Sequence, residues 1–465
     1  MDAGNHQSID QRSSHWVLAP YSPCAFISRY LEDEYLLNCP KDENTVSGLG
    51  KLPLNFKFYD DIADPAQPAF QELPTGEPLS GAKTYQSLMK FFTTLNITPS
   101  ELRQEAVKRR DELYQQAVEV AKSYTGEETE VLAVPAFQQV LRHANMSFNS
   151  KPFPSNESGN DAFIKCIDSK SAQAYCPERW KAMQLWIKNT DKTMKNNIAP
   201  VIKPLFYETG AKKTVPACPV DCVAWFQPYA SFHSYNPGDK DCEPKATQEL
   251  PFFVDKFGPK WTEFTTTAHE QLPGHHLEVH SFIEYFEGDC TDPIHWMSVP
   301  NFFVGFTEGW ATYIEYELLP QDTNLYSNTL NKEVLLQKYG MIYYQLLAAV
   351  RAIVDIDLNF DKKSKSQAED MFRQYLWEDK TDIANNDILR SQSIPGFVTS
   401  YMIGQMEFSR VRDIAETELG TDFDLKEFHY EVLRQGEFPL PYLEEHIRAY
   451  IACKKDPTTE GCKEF

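Results

Sequence analysis

The chain has no Cys-x-x-Cys pair, no internal repeat, no excess of basic charge and no apolar run near the roughly 20 residues needed to span a bilayer. Without Cys-x-x-Cys, a cysteine zinc site has little support. Without repeats, a solenoid is excluded. Lys and Arg total 45 against 67 Asp and Glu, a net charge of −22, which argues against nucleic acid or an anionic membrane as partner. The opening Met1-Asp2-Ala3-Gly4-Asn5 is polar and no apolar signal core follows it. Either the chain lacks its natural N-terminus or the protein is cytosolic.

What is present favours the first alternative. A hydrophobic fraction of 42% with 13% aromatics is that of a globular protein with a sizeable core. Ten cysteines include the short-range pairs Cys24/Cys39, Cys166/Cys176, Cys218/Cys222 and Cys453/Cys462, the last bracketing a polar C-terminal loop. Three glycosylation sequons begin at Asn96, Asn145 and Asn156. Together they point to a secreted or extracytoplasmic, disulfide-bonded glycoprotein.

Residues 1–80 are rich in turn formers and are expected to form an irregular segment wrapping a catalytic domain over 81–465. Thr98-Pro99-Ser100-Glu101 is a helix start, with Thr as N-cap, Pro in the first turn and Glu three residues after the cap. It leads into an amphipathic helix with Leu102, Val107, Leu113, Ala117 and Val120 among its apolar positions. Segments at Val223 and Leu250 look like short strands. From Thr262 onward the pattern is helical: 262–286 with a break, 301–318, 328–359, 366–378, 382–416 in pieces and 424–453. The expected fold is mainly α with a small β-sheet, not a parallel α/β sheet.

The segment His269-Glu-Gln-Leu-Pro-Gly-His-His-Leu-Glu-Val-His280 holds four of the eleven histidines. A His-Glu dipeptide with a second His one turn later is how many zinc hydrolases place two ligands and a general base on one helical face. Here the position four after His269 is Pro273. In a regular helix His275 lies about 120° around from His269, and His276 lies about 10.5 Å along the axis. Neither shares a zinc with His269 unless the backbone bends. If Pro273-Gly274 is an insertion, the remainder reads His-Glu-Gln-Leu-His, with His275 as second ligand. The rival is the i, i+4 pair His276 and His280.

A third ligand is then needed. Phe306-Thr-Glu-Gly-Trp-Ala-Thr-Tyr-Ile-Glu offers Glu308, with Glu315 as the alternative. In this reading His269, His275 and Glu308 bind Zn2+, and Glu270 takes a proton from the attacking water. The bland alternative is an amphipathic surface helix with incidental histidines.

His-Glu-Gln-Leu-Pro-Gly-His-His followed by Phe-Thr-Glu-Gly-Trp-Ala-Thr-Tyr resembles the family carrying domain of unknown function 885. The resemblance extends to Leu73-Pro-Thr-Gly, to the stretch from Phe91 to Leu102, and to the stretches opening at Arg390 and Phe423. It covers about residues 70–450 as an ordered series of motifs. It departs at Glu278, where the family commonly has Gln, and at Pro395-Gly-Phe, where Pro-Gly-Gln is usual; the N-terminal portion also looks short. The resemblance implies a helical zincin-like metallopeptidase fold of gluzincin type with His269, His275 and Glu308 on zinc and Glu270 as base. By analogy with related helical zinc peptidases, Tyr401 or His429 would stabilise the oxyanion. Arg390 would anchor a substrate carboxylate. Phe232-His-Ser-Tyr235 is a weaker candidate for a strand beside the cleft.

The expected function is a zinc metallopeptidase (a hydrolase) acting on peptides. The alternatives are a zinc amidohydrolase acting on a small non-peptide amide and an inactive zincin serving as a binding protein.

Overall fold

The computed structural model describes residues 49–59, 62–228, 230–288, 303–377, 382–458 and 460–462. Helices dominate, as the periodicity predicts. They are α1 (Gly81–Thr93), α2 (Pro99–Thr125), α3 (Glu130–Leu141), α4 (Pro177–Thr193), α5 (Glu263–Glu270), α6 (His275–Ser281), α7 (Val304–Tyr313), α8 (Lys332–Asn359), α9 (Lys365–Leu376), α10 (Asp382–Ser393), α11 (Thr399–Leu419), α12 (Leu425–Leu433) and α13 (Leu440–Lys455), with short helical turns between them. The start of α2 is as expected. Thr98 accepts from the Glu101 N–H, and the Glu101 carboxylate accepts from the Thr98 N–H.

The core is organised on α8. From Leu335 to Asn359 nearly every position is buried, so this helix is apolar all round rather than amphipathic. It packs on α2, α5, α9, α10 and α11. Helices α7 and α11 make the other close pairing. There a Cβ on Gly309 would stand 2.5 Å from the Cα of Gly404, so only glycine lets the two backbones approach. That approach brings Tyr401, on α11, up to Glu308, on α7.

The small sheet has strand order β3–β5–β4: β3 (Val220–Trp225) pairs parallel with β5 (Ala246–Pro251), and β4 (Ser234–Asn236) pairs antiparallel with β5. Leu250 of β5 and Phe252 just beyond it join Phe148, Met183, Trp186 and Phe257 in a second apolar cluster. The stretch before residue 81, expected to be irregular, carries an antiparallel hairpin of β1 (Phe56–Tyr59) and β2 (Ile62–Pro68).

Cys166–Cys176 and Cys453–Cys462 are disulfides. Cys218 pairs with Cys242, not with the nearby Cys222, which is buried and free. The reason is reach. Four residues of near-extended chain entering β3 span about 13 Å, well beyond the ~4.4–6.8 Å between Cα atoms that a disulfide spans; Cys218 and Cys242 lie 5.3 Å apart. Cys24 and Cys39 lie outside the described residues. Asn96, Asn145 and Asn156 are all exposed. Among the described residues no helix is long and apolar enough to cross a membrane.

Candidate metal centre

Helix α5 brings His269 and Glu270 to its C-terminal end. Its first residue, Glu263, is anchored by the Trp186 indole N–H at 2.7 Å, Asn189 at 3.0 Å and the Thr190 hydroxyl at 3.1 Å. The helix stops at Glu270. Gln271 to Gly274 form a tight loop, and α6 begins at His275. The loop is held at both ends: the Gln271 N–H donates to Thr267 O at 3.0 Å, and at the far end the Gly274 N–H donates to Ala268 O and the Trp310 indole to Pro273 O, both at 2.9 Å. A Cβ at Gly274 would sit 2.0 Å from the His269 carbonyl oxygen, so only glycine folds back this closely. Gln271 donates to Gln248 on β5, which in turn contacts His233, and this ties the loop to the sheet.

The break does what the insertion reading requires. His269 and His275 come edge to face with ring centroids 4.7 Å apart. Glu308 Oε2 lies 3.4 Å from His269 Nε2 and 3.6 Å from His275 Nε2. Ligand atoms of the three residues all fall within 4.8 Å of one another. Two ligands about 2 Å from a tetrahedral zinc stand roughly 3.3–3.4 Å apart, close to these separations. Glu308 Oε2 is buried and accepts no hydrogen bond, so a buried carboxylate oxygen faced by two imidazole nitrogens is what a divalent cation would complete. The donor set fits zinc.

The electrostatics agree. Burial works against ionisation of Glu308, yet His269 and His275 hold it well below the usual carboxylate range. Burial likewise disfavours charge on His269, but the carboxylates of Glu308 and Glu315 outweigh it and raise the imidazole well above its ordinary value. Glu270 is buried among His269, His275, Glu308 and Glu315, and burial pushes its carboxyl upward.

The alternatives left open by the sequence separate clearly. Glu315 is not beside Glu308 on the shared face of the histidines; it accepts from the other nitrogen of His269, Nδ1, at 2.6 Å, and is itself fixed by Gln345 at 3.0 Å. It supports a ligand. His276 turns away, its Nδ1 on the Tyr235 hydroxyl at 3.0 Å and its Nε2 on Cys218 O at 2.9 Å. With both nitrogens engaged, the His276/His280 pair is no metal site. The other group of possible ligands among the described residues, Cys218, His280 and Glu284, contains a disulfide sulfur and therefore lacks a thiolate.

Tyr401 reaches the site: its hydroxyl donates to Glu308 Oε1 at 2.7 Å and accepts from Arg390 at 3.1 Å. The Arg390 guanidinium lies 4.7 Å from the centre of the Phe397 ring and is half-buried. His429 does not reach it. The ring is fully buried, stacked on Phe206 at 4.6 Å, with Nδ1 on Leu205 O and Nε2 on the Tyr313 hydroxyl. Burial drives it to a pKa of about 3; it is a neutral core histidine, and the expectation of an oxyanion role is corrected. Of the weak candidate Phe232–Tyr235, only Ser234 and Tyr235 are on a strand, and Tyr235 acts by holding His276. Sequence reasoning missed Gln345 and Trp310. The first sits on a helix with no motif, and the second is an aromatic two residues after Glu308 that reads as core.

A broken helix with two histidines and a glutamate from a following helix defines a candidate mononuclear metal centre in a mainly helical protein. The chain belongs to the family described as "Bacterial protein of unknown function (DUF885)", whose model matches residues 27–447. Among solved structures it is similar to the "putative lipoprotein" from Colwellia psychrerythraea, with 21% identity and a TM-score of 0.57, covering 82% of this chain and 56% of that one. It is also similar to a "putative lipoprotein of unknown function" from Shewanella oneidensis, with 16% identity and a TM-score of 0.48, covering 78% and 59%. This chain therefore spans less than two thirds of either, and the first likeness is one of fold alone. No curated protein matches the chain.

Proposed function

We propose that the protein is a zinc metallopeptidase with a zincin-like fold that works outside the cytoplasm. The observation that carries this reading is the meeting of His269, His275 and Glu308 around one buried, unpartnered carboxylate oxygen, with Glu270 beside them. His269, His275 and Glu308 would hold the ion, which would supply Lewis acidity toward a carbonyl and lower the pKa of a bound water toward ~7. Glu270 accepts the proton of the attacking water and returns it to the leaving amine. Tyr401, oriented by Arg390, would turn its one hydroxyl proton from Glu308 Oε1 to the developing oxyanion. Arg390, bonded to the same Tyr401 hydroxyl, would offer its guanidinium to a substrate carboxylate. Three disulfides, three exposed sequons and the Colwellia structure described as a putative lipoprotein support the location.

The test is metal content with hydrolysis. Purified protein should carry one zinc, and Glu270→Gln should keep it while peptide hydrolysis, read by mass spectrometry of a peptide library, falls by roughly 10²–10⁴. Protein without stoichiometric zinc, or a fully active Glu270→Gln, overturns the reading.

A further inference from the structure

Arg390 is a cation without a counter-ion beside the candidate metal centre. It stands near the end of α10, half-buried. Of its five N–H donors only one, on Nη2, has an acceptor among the described residues: the Tyr401 hydroxyl at 3.1 Å. No carboxylate among them makes an ion pair with it. It acts through space on Asp355, whose Oδ2 is taken by Tyr85 and Gly396. Three aromatic rings lie against the guanidinium, Phe397 at 4.7 Å and Phe232 and Tyr401 each at 5.7 Å. Phe232 is 49% exposed, so the group they form borders solvent. A guanidinium steadied by rings, with its other donors on offer, is a fork for a planar carboxylate.

Two hydrogen bonds join this fork to a proposed metal ligand. Tyr401 donates to Glu308 Oε1 at 2.7 Å, so Arg390 Nη2 is at most about 6 Å from that oxygen. One extended residue spans about 3.5 Å and a charge-assisted hydrogen bond adds about 2.8 Å. A peptide whose scissile carbonyl stands beside Glu308 and Tyr401 therefore brings to Arg390 the carbonyl carbon of the very next residue, three bonds along the chain. As a peptide carbonyl, that group is neutral and leaves the guanidinium charge unmet. As a free carboxylate, it supplies the charge and two oxygens for the fork. We infer that Arg390 binds the C-terminal α-carboxylate of the substrate, one residue beyond the scissile bond. The inference rests on the peptidase reading of the same site and makes the enzyme a carboxypeptidase that removes single residues. Reach selects the α-carboxylate over an acidic side chain, whose carboxyl carbon is four bonds from the scissile carbonyl in aspartate and five in glutamate.

Calorimetry on the zinc-loaded protein, with benzylsuccinate and 4-phenylbutanoate as probes, tests this without requiring turnover. The two share a skeleton and one carboxylate for the metal; benzylsuccinate adds a second carboxylate three bonds away. Benzylsuccinate should bind at least about tenfold more tightly, as expected for a charge-assisted contact. In Arg390→Gln, checked for unchanged zinc content, that preference should shrink to about twofold or less, and Arg390→Lys, which keeps the charge but not the fork, should fall between the two. Equal binding of both probes by the wild type overturns the subsite, and an undiminished preference in Arg390→Gln overturns Arg390 as its anchor. In peptide digests read by mass spectrometry, free C-termini should lose one residue, and the matching C-terminal amides should be cut at least about tenfold more slowly. Amides cut as fast overturn the carboxypeptidase assignment, in favour of an acidic side chain if the cuts fall before aspartate or glutamate. An Arg390-dependent preference for benzylsuccinate with no hydrolysis of any peptide leaves the subsite standing and overturns the peptidase reading instead.

Discussion

A histidine that gives one ring nitrogen to a metal needs the other fixed, or its tautomer and orientation wander. For His269 that partner is Glu315, which accepts from Nδ1 at 2.6 Å and is held in turn by Gln345. Glu315 is seven residues past Glu308, two turns along the same helical face, at a π-turn from Ile314 to Leu318. Its role depends on its charge as well as its shape. Glu315→Gln should therefore weaken zinc binding by about 10–100-fold, read by chelator competition, while the folded state survives. Affinity unchanged from wild type would mean that His269 is oriented by packing alone. The sequence shows Glu315 as a possible ligand but not as the partner of one, because that distinction depends on which nitrogen of His269 faces it.

The break between α5 and α6 is the element on which the centre depends. Pro273 ends the first helix, and Gly274 turns the chain so closely on α5 that a single Cβ would strike the His269 carbonyl oxygen. Gly274→Ala should push His275 out of place, weakening zinc binding at least about tenfold, with a stability cost of roughly 1–3 kcal/mol. Gly159→Ala, where an added Cβ meets nothing within 4 Å, is the matched control and should leave zinc binding unchanged. Chelator competition and thermal melts on the two variants read both quantities; a Gly274→Ala protein with wild-type zinc affinity would mean that the loop does not position His275. This much was legible in sequence. A proline and a glycine placed between a His-Glu dipeptide and a His-His pair state the insertion directly, 3.6-residue periodicity marks α2 and the C-terminal helices, and α8 shows itself by the length of its apolar run. The rest depends on tertiary contacts. The three residues of β4 are too short for a period-2 signal, Cys242 was invisible as the partner of Cys218 across a loop, and His429 looks like any other histidine until its two nitrogens are traced to Leu205 and Tyr313.

At the scale of the whole molecule, the N-terminal segment, the central helix and the turn before α11 meet at Asp355 and Asn359. Asp355 Oδ2 accepts from the Tyr85 hydroxyl and from the Gly396 N–H, both at 2.8 Å. Asn359 accepts from the Leu49 N–H and donates to Ser391 O. Asp355 is fully buried, and its Oδ1 has no partner. Burial pushes its pKa up to about 7, against hydrogen bonds that pull the other way. The unfolded chain titrates an aspartate near ~3.9. Between those values the folded protein holds a proton that the unfolded chain has released, so this group's contribution to stability is complete below about pH 4, falls as pH rises, and is lost above about pH 7. Asparagine in its place keeps an acceptor for Tyr85 and Gly396 and never ionises. Asp355→Asn should therefore be more stable than wild type at pH 8, by about 1–3 kcal/mol, with the advantage vanishing near pH 4. Denaturant melts of the two proteins from pH 4 to pH 8 decide it. A pH-independent difference would mean that the carboxyl is already ionised in the fold at pH 4, and that a cation or water meets Oδ1 in this corner of the core.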